Sequence, residues 1–233
     1  MASEKDTPAS LSPSELGTKE YWDNLYAHEL QNHSLSPTDT GTVWFSETDA
    51  LQKMTSLATT HTPQPKHTAT LLDLGCGNNT LLRTLRTQGW TGRALGVDYS
   101  EDSVELARRV GASSSGAAVE VAVWDVLHGP MDVVLVDGGG GWDVVFDKGT
   151  FDAVSLASCA PCDAYVARVG RLVRAPGGIF VITSCNWTED ELIRWFARDD
   201  SALFEVAGTA CYRSFSFGGH KGQAVSTVCF RRR

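Results

Sequence analysis

Leu71-Leu72-Asp73-Leu74-Gly75-Cys76-Gly77-Asn78-Asn79 carries an apolar run into a glycine turn, where a backbone can approach a ligand closely. Asp73 stands two residues ahead of Gly75, and a carboxylate there suits a ligand with a cationic amino group. Asp98 closes the next apolar run, where an acid accepts hydrogen bonds from ribose hydroxyls. A third run ends in Trp124-Asp125-Val126; Asp125 can accept from an adenine amino group while the Val126 N–H donates to the ring. A dinucleotide fingerprint would need glycine where Thr80 stands, and there is no P-loop lysine. The combination fits S-adenosylmethionine. A dinucleotide-binding or non-binding α/β domain is the alternative.

Two further segments carry polar groups at the ends of apolar runs. In Phe146-Asp147-Lys148-Gly149-Thr150-Phe151-Asp152, Asp147 is placed to hydrogen-bond an incoming amine, or else to cap the following helix. Lys148 reads as structural or solvent-facing, because methyl transfer from a sulfonium needs no covalent enzyme intermediate. In Ser184-Cys185-Asn186-Trp187-Thr188, Asn186 offers a carbonyl and an amide and Trp187 an aromatic face, groups that suit a cationic nitrogen. Alternatively, Trp187 packs a helix start and Thr188 caps it.

The elements that must position these residues alternate in type. Strands are predicted at 70–74, 94–97, 119–124, 144–146 and 179–183, and two final strands at 203–206 and 224–230. Helices are predicted around Leu81–Leu85, from Ser100 to Val110, after Pro161, and after the Thr188–Glu191 capping box. Strand-helix alternation implies an α/β, Rossmann-like fold. Its sheet is mostly parallel with an antiparallel C-terminal edge, and helices cover both faces. Ahead of it, Trp22, Leu25, Tyr26 and Leu30 share one helical face, and Ser46-Glu47-Thr48-Asp49 reads as a helix start. Residues 1–14 read as a disordered tail, 15–67 as a helical cap and 68–233 as the ligand-binding domain, one globular unit with the cap. The segment 131–141, with four consecutive glycines at its end, reads either as a hairpin with the following strand or as an inserted loop.

The 233 residues are 42% hydrophobic and 21% charged, which excludes wholesale disorder, collagen and coiled coil. No apolar run approaches the length of a membrane span, and no signal-peptide stretch opens the chain. Twenty basic against 28 acidic residues give a net charge of −8, which argues against nucleic acid as a partner. Cys159 and Cys162 form a C-x-x-C without a second ligand pair, so no metal is expected, and the six cysteines read as free cytosolic thiols.

Beyond these features, the chain resembles the seven-stranded S-adenosylmethionine-dependent protein-lysine methyltransferases that act on translation elongation factor 1-alpha. The likeness is carried by Gly17-Thr18-Lys19-Glu20-Tyr21-Trp22-Asp23, Val43-Trp44-Phe45, the glycine turn, Asp147-Lys148-Gly149-Thr150-Phe151-Asp152-Ala153, Thr183-Ser184-Cys185-Asn186-Trp187-Thr188 and Ser214-Phe215-Ser216-Phe217-Gly218-Gly219. It spans roughly Glu15 to Arg231. The resemblance implies cofactor contacts at Asp73, Gly75, Gly77, Asn78, Asp98, Tyr99, Asp125 and Val126. It implies a substrate rim at Asp147, Asn186 and Trp187, and a lid role for Trp22, Trp44 and Phe45. It further implies S-adenosylhomocysteine as product, elongation factor 1-alpha as protein substrate, and a monomeric, cytoplasmic enzyme without a membrane partner. Methylation of a small molecule or another protein, or a non-catalytic interaction module of the same fold, are the alternatives. The glycine-rich stretch before Trp142 and the Asn78-Asn79 pair depart from the family pattern.

Overall fold

The computed structural model describes residues 8–112, 117–136, 140–199, 202–212, 215–217, 220–222 and 225–233. Seven strands form one sheet: β1 (Leu71–Leu74), β2 (Ala94–Asp98), β3 (Glu120–Val123), β4 (Val144–Lys148), β5 (Ile179–Ser184), β6 (Phe204–Thr209) and, last in the chain, β9 (Ser226–Arg232). A separate hairpin pairs β7 (Phe215–Phe217) with β8 (His220–Gly222). The spatial order is β3-β2-β1-β4-β5-β9-β6. Strands β1 to β5 pair in parallel, and β9 pairs antiparallel with both β5 and β6. The chain leaves β1 in one direction for β2 and β3 and returns to its other side for β4. The switch point therefore lies between β1 and β4, where open α/β sheets bind ligands beyond the strands' carboxyl ends.

Alternation along the strands divides the core. Leu72, Leu74, Val145, Phe180 and Ile182 face a cluster completed by α5 (Thr150–Ser155), α6 (Cys162–Leu172) and α7 (Glu189–Phe196). Leu71, Val144, Phe146, Ile179 and Val181 face the opposite cluster, closed by Met54 and Ala58 of α2 (Ala50–His61) and Leu81, Leu82 and Leu85 of α3 (Thr80–Thr87). A third cluster joins α1 (Lys19–Leu35) to α4 (Glu101–Ala112) through Tyr26, Leu106 and Val110, with Trp22 and Leu30 beside them. No described helix is long and apolar enough to cross a membrane.

Several local expectations are revised. Ser46-Glu47-Thr48 is a 3-10 turn and α2 begins only at Ala50, because Phe45 (φ 64°) and Asp49 (φ 56°) are both left-handed and break a continuous helix. Of the tail, residues 8–14 are described: Leu11 packs on the main core and the Ser14 N–H donates to Leu156 O at 3.1 Å. Of the two readings of 131–141, the described residues favour the inserted loop: Met131–Val133 forms a 3-10 turn, and Val136 bridges Gly140. Asp137 and the first two glycines of the run, 138–139, and the Ser214 and Gly218-Gly219 positions of the last motif, lie outside the described residues. The Thr188 capping box is present, its hydroxyl accepting from Glu191 N–H and the Glu191 carboxylate accepting from Thr188 N–H.

Candidate active site

Strand β1 is apolar because it is buried on both faces, and it delivers Asp73 and the glycine turn to the switch point. Gly75 (φ 64°) and Gly77 (φ 53°) take left-handed conformations that favour glycine. At Gly75 there is a steric reason as well: a Cβ would stand 2.1 Å from the Thr150 hydroxyl, itself held by donation to Leu74 O at 2.7 Å. Gly75→Ala should therefore cost about 2–4 kcal/mol, combining backbone strain with overpacking. Denaturant titration should show the loss, with much of it recovered in Gly75→Ala/Thr150→Ala.

Asp98 ends β2 and lies buried beneath this turn. One carboxylate oxygen accepts from Gly77 N–H at 3.2 Å and the other from Ser100 N–H at 3.0 Å. Asp98 also lines the cleft. Burial raises the Asp98 pKa while these donors, with Ser103, oppose the rise. Asp73 is also buried, and burial raises its carboxyl to about 7; the Lys148 ammonium opposes this, while Asp147 and Asp98 add to it.

A cleft of about 880 Å³, counted with its open mouth, is lined by Asp98 and the glycine turn and falls in the range of small-molecule sites. Gly75, Gly77, Asn78, Asp98 and Tyr99 line it, as do Asp152, Ala153, Leu156, Cys185 and Asn186. The cap supplies the cover. Trp22, Tyr26, Trp44 and Phe45 face the cleft, with the Trp22 and Trp44 rings edge-on at 5.3 Å and Trp22 stacked on Tyr26 at 6.3 Å. Asn78 straps cap to turn: its amide donates to Thr40 O at 2.8 Å, and its carbonyl accepts from Thr80 Oγ1 at 2.7 Å. The Trp44 indole N–H is buried without a hydrogen-bond partner. A buried acid in the lining with a second just below the turn, an open backbone turn and aromatic walls fit a ligand carrying an ammonium, a ribose and a flat ring.

Five expected site residues are not among those that line the cleft; the first, Asp73, is buried within β1 just below the turn. Asp147 is fully buried and does not line the cleft; it accepts from Thr150 N–H at 2.7 Å, Phe151 N–H at 2.9 Å and the Tyr165 hydroxyl. It is a structural anchor for the start of α5, not a group facing an amine. Trp187 is buried against Phe151 and Trp195, with its indole N–H donating to Ser155 Oγ at 3.2 Å. Its aromatic face belongs to the core. The Asp125 carboxylate turns back to accept from Leu127 N–H at 2.7 Å and to meet the His128 ring at 3.0 Å, and Val126 packs into the main core. Neither lines the cleft.

The cleft holds groups that motif reasoning passed over. Tyr26 counted as one apolar position on a helix, yet it lines the cleft beside Gly77, where a Cβ would stand 2.7 Å from its hydroxyl. Lys148 points inward to Trp44 O at 3.4 Å. Asp152 holds the β5–α7 loop: its carboxylate accepts from the Ser184 hydroxyl and from Cys185 N–H at 2.9 Å, which presents Asn186 to the cleft. Burial and Asp152 push the Cys185 thiol up to about 12, so it stays neutral and is no nucleophile.

The family described as "Methyltransferase domain" matches residues 65–226, the stretch holding the whole parallel sheet and the turn. The chain is 38% identical to Protein-lysine N-methyltransferase EFM4 of Saccharomyces cerevisiae, over 95% of this chain and 96% of the relative. It belongs to this family of protein-lysine methyltransferases. EEF1A lysine methyltransferase 2 of Homo sapiens is 32% identical over 99% of this chain and 93% of its own length. Among solved structures, magnesium protoporphyrin IX methyltransferase from Synechocystis with bound S-adenosylmethionine superimposes with a TM-score of 0.56 at 15% identity, over 89% of this chain and 97% of that chain. At that identity the likeness shows the fold alone. As a methyltransferase, the chain keeps the seven-stranded order and the switch-point cleft described above.

Proposed function

We propose that this methyltransferase transfers methyl groups from S-adenosylmethionine to a lysine of translation elongation factor 1-alpha, acting as a cytoplasmic monomer and leaving S-adenosylhomocysteine. The full-length likeness to relatives named for lysine methylation carries the reading, and the cleft supplies the chemistry it needs.

When bound, S-adenosylmethionine supplies an electrophilic methyl group on a sulfonium sulfur. The chain's own residues bind and orient. Asp73 would hold the ammonium of the amino-acid end, Asp98 the ribose hydroxyls, and the Gly75–Gly77 turn would admit close backbone approach. Trp22, Trp44, Phe45 and Tyr26 exclude water from above. A lysine amine entering beside Leu156 and Asn186 loses hydration, which favours its neutral form and exposes the lone pair. The Asn186 side chain, held by the Asp152-anchored loop, would orient it. Asp147, engaged beneath the cleft floor, leaves the amine's pKa undisturbed by direct contact. The proton leaves to solvent through the open mouth. Positioning of this kind can supply up to about 7–11 kcal/mol of barrier lowering.

Binding should depend on pH in a defined direction. Asp73 has a carboxyl near 7 in the free protein, and it must ionise to receive an ammonium. The Kd for S-adenosylhomocysteine should weaken toward about tenfold per unit as pH falls below 7. Asp73→Asn should bind weakly with a flattened profile; a flat wild-type profile would remove Asp73 from the ammonium site. The reaction itself is tested by transfer of labelled methyl to elongation factor 1-alpha, to other basic proteins and to small amines. Label confined to the factor is expected, whereas label on small amines alone would overturn the protein-substrate reading.

A further inference from the structure

Lys148 closes β4 and lines the cleft. An ammonium has three N–H donors. The acceptor it meets is Trp44 O, at the long distance of 3.4 Å, with the Phe45 ring 5.9 Å away. The opposite charges acting on it are Asp73, Asp147 and, more weakly, Cys76. Cys76 is held neutral by burial. Asp147 is already engaged by two backbone N–H groups and the Tyr165 hydroxyl. Asp73 is the foremost of these charges, and it is the carboxylate already assigned to the cofactor's ammonium. One carboxylate cannot balance two cations in a buried setting, so the site needs a second anion when the ligand arrives.

We propose that Lys148 binds the carboxylate at the amino-acid end of S-adenosylmethionine, so that Asp73 and Lys148 together read both charges of the zwitterion. The proposal rests on the cofactor reading given above. The charge sum supports it. Asp73 and Lys148 cancel, as do the ammonium and carboxylate of the ligand, and the four groups together stay neutral. An amine end without its carboxylate would add an uncompensated positive charge beside Lys148. Trp44 O orients the ammonium from the cap side, which places this contact where cap and sheet meet.

The test compares S-adenosylmethionine with its decarboxylated form, which keeps the ammonium, ribose and adenine. Calorimetric titration of wild type should show the carboxylated ligand favoured by about tenfold to a hundredfold, the scale of one charge-assisted contact. Lys148→Met should reduce that preference to within about threefold, and Lys148→Arg should keep most of it. A purely structural lysine would weaken both ligands equally. That result, in Lys148→Met or in Lys148→Gln should the methionine variant not fold, would overturn the proposal, as would a wild type indifferent to the carboxylate. Failure of wild type to bind either ligand would instead overturn the cofactor reading, and this proposal with it.

Discussion

Asp147→Ala is expected to lower the stability of the fold by about 3 kcal/mol while leaving cofactor affinity within about threefold of wild type. The carboxylate is fully buried and gathers the first N–H groups of α5, from Thr150 and Phe151, together with the Tyr165 hydroxyl. Alanine leaves three buried donors without an acceptor, each costing about 1–3 kcal/mol. Part of that cost is offset, because burial already pushes the Asp147 carboxyl up to about 7 and holding it charged is itself unfavourable. For a chain of this length about 3 kcal/mol corresponds to a fall in Tm of about 6–12 °C. Thermal denaturation with and without S-adenosylhomocysteine reads both effects. Unchanged Tm with lost turnover would return Asp147 to the site as a group that orients the amine.

Asp98→Ala is expected to do the opposite: to weaken S-adenosylhomocysteine binding by about a hundredfold or more. The loss is that of two hydrogen bonds from ribose hydroxyls to a charged acceptor, each worth about 1.5–3 kcal/mol. The same carboxylate fixes the turn through Gly77 N–H and the start of α4 through Ser100 N–H, so the apoprotein's Tm is measured alongside. Ligand at about a hundred times the wild-type Kd stabilises wild type by about 2.7 kcal/mol. The rise in Tm that this produces should vanish in the variant. A variant that keeps the full ligand-induced rise would mean that the ribose lies elsewhere.

The sheet was legible because its signals are local and repeated. Buried strands such as Leu71–Leu74 and Ile179–Ser184 read as short apolar runs, and the glycine turn and Asp98 follow from where such runs end. Trp22, Trp44 and Phe45, singled out from the sequence, all line the cleft. Side-chain direction at the rim was not. Helix α5 has six residues, too few to show a period, and starts from the left-handed Gly149. Without α5, Asp147 looks free to face a ligand and Asp152 has no evident task. With it, Asp147 turns down to the helix start and Asp152 turns toward the β5–α7 loop. Trp187 offered an aromatic face, but Phe151 of the same short helix lies against that ring and draws it into the core. Asp125 had the right position at a strand end, yet its own next residues, Leu127 and His128, supply donors closer than any ligand. Lys148 reads from the sequence as structural or solvent-facing, because methyl transfer needs no covalent enzyme intermediate; only the loop carrying Trp44 and Phe45, more than a hundred residues earlier, makes it a cleft residue.

Peptide mass spectrometry of elongation factor 1-alpha tests most directly whether this cleft methylates lysine. The purified factor is incubated with S-adenosylmethionine and either wild-type protein or Asp98→Ala. The expected result is whole methyl increments on a lysine of the factor with wild type and none with Asp98→Ala. An unmodified factor, beside wild-type protein shown to bind S-adenosylhomocysteine, would contradict it.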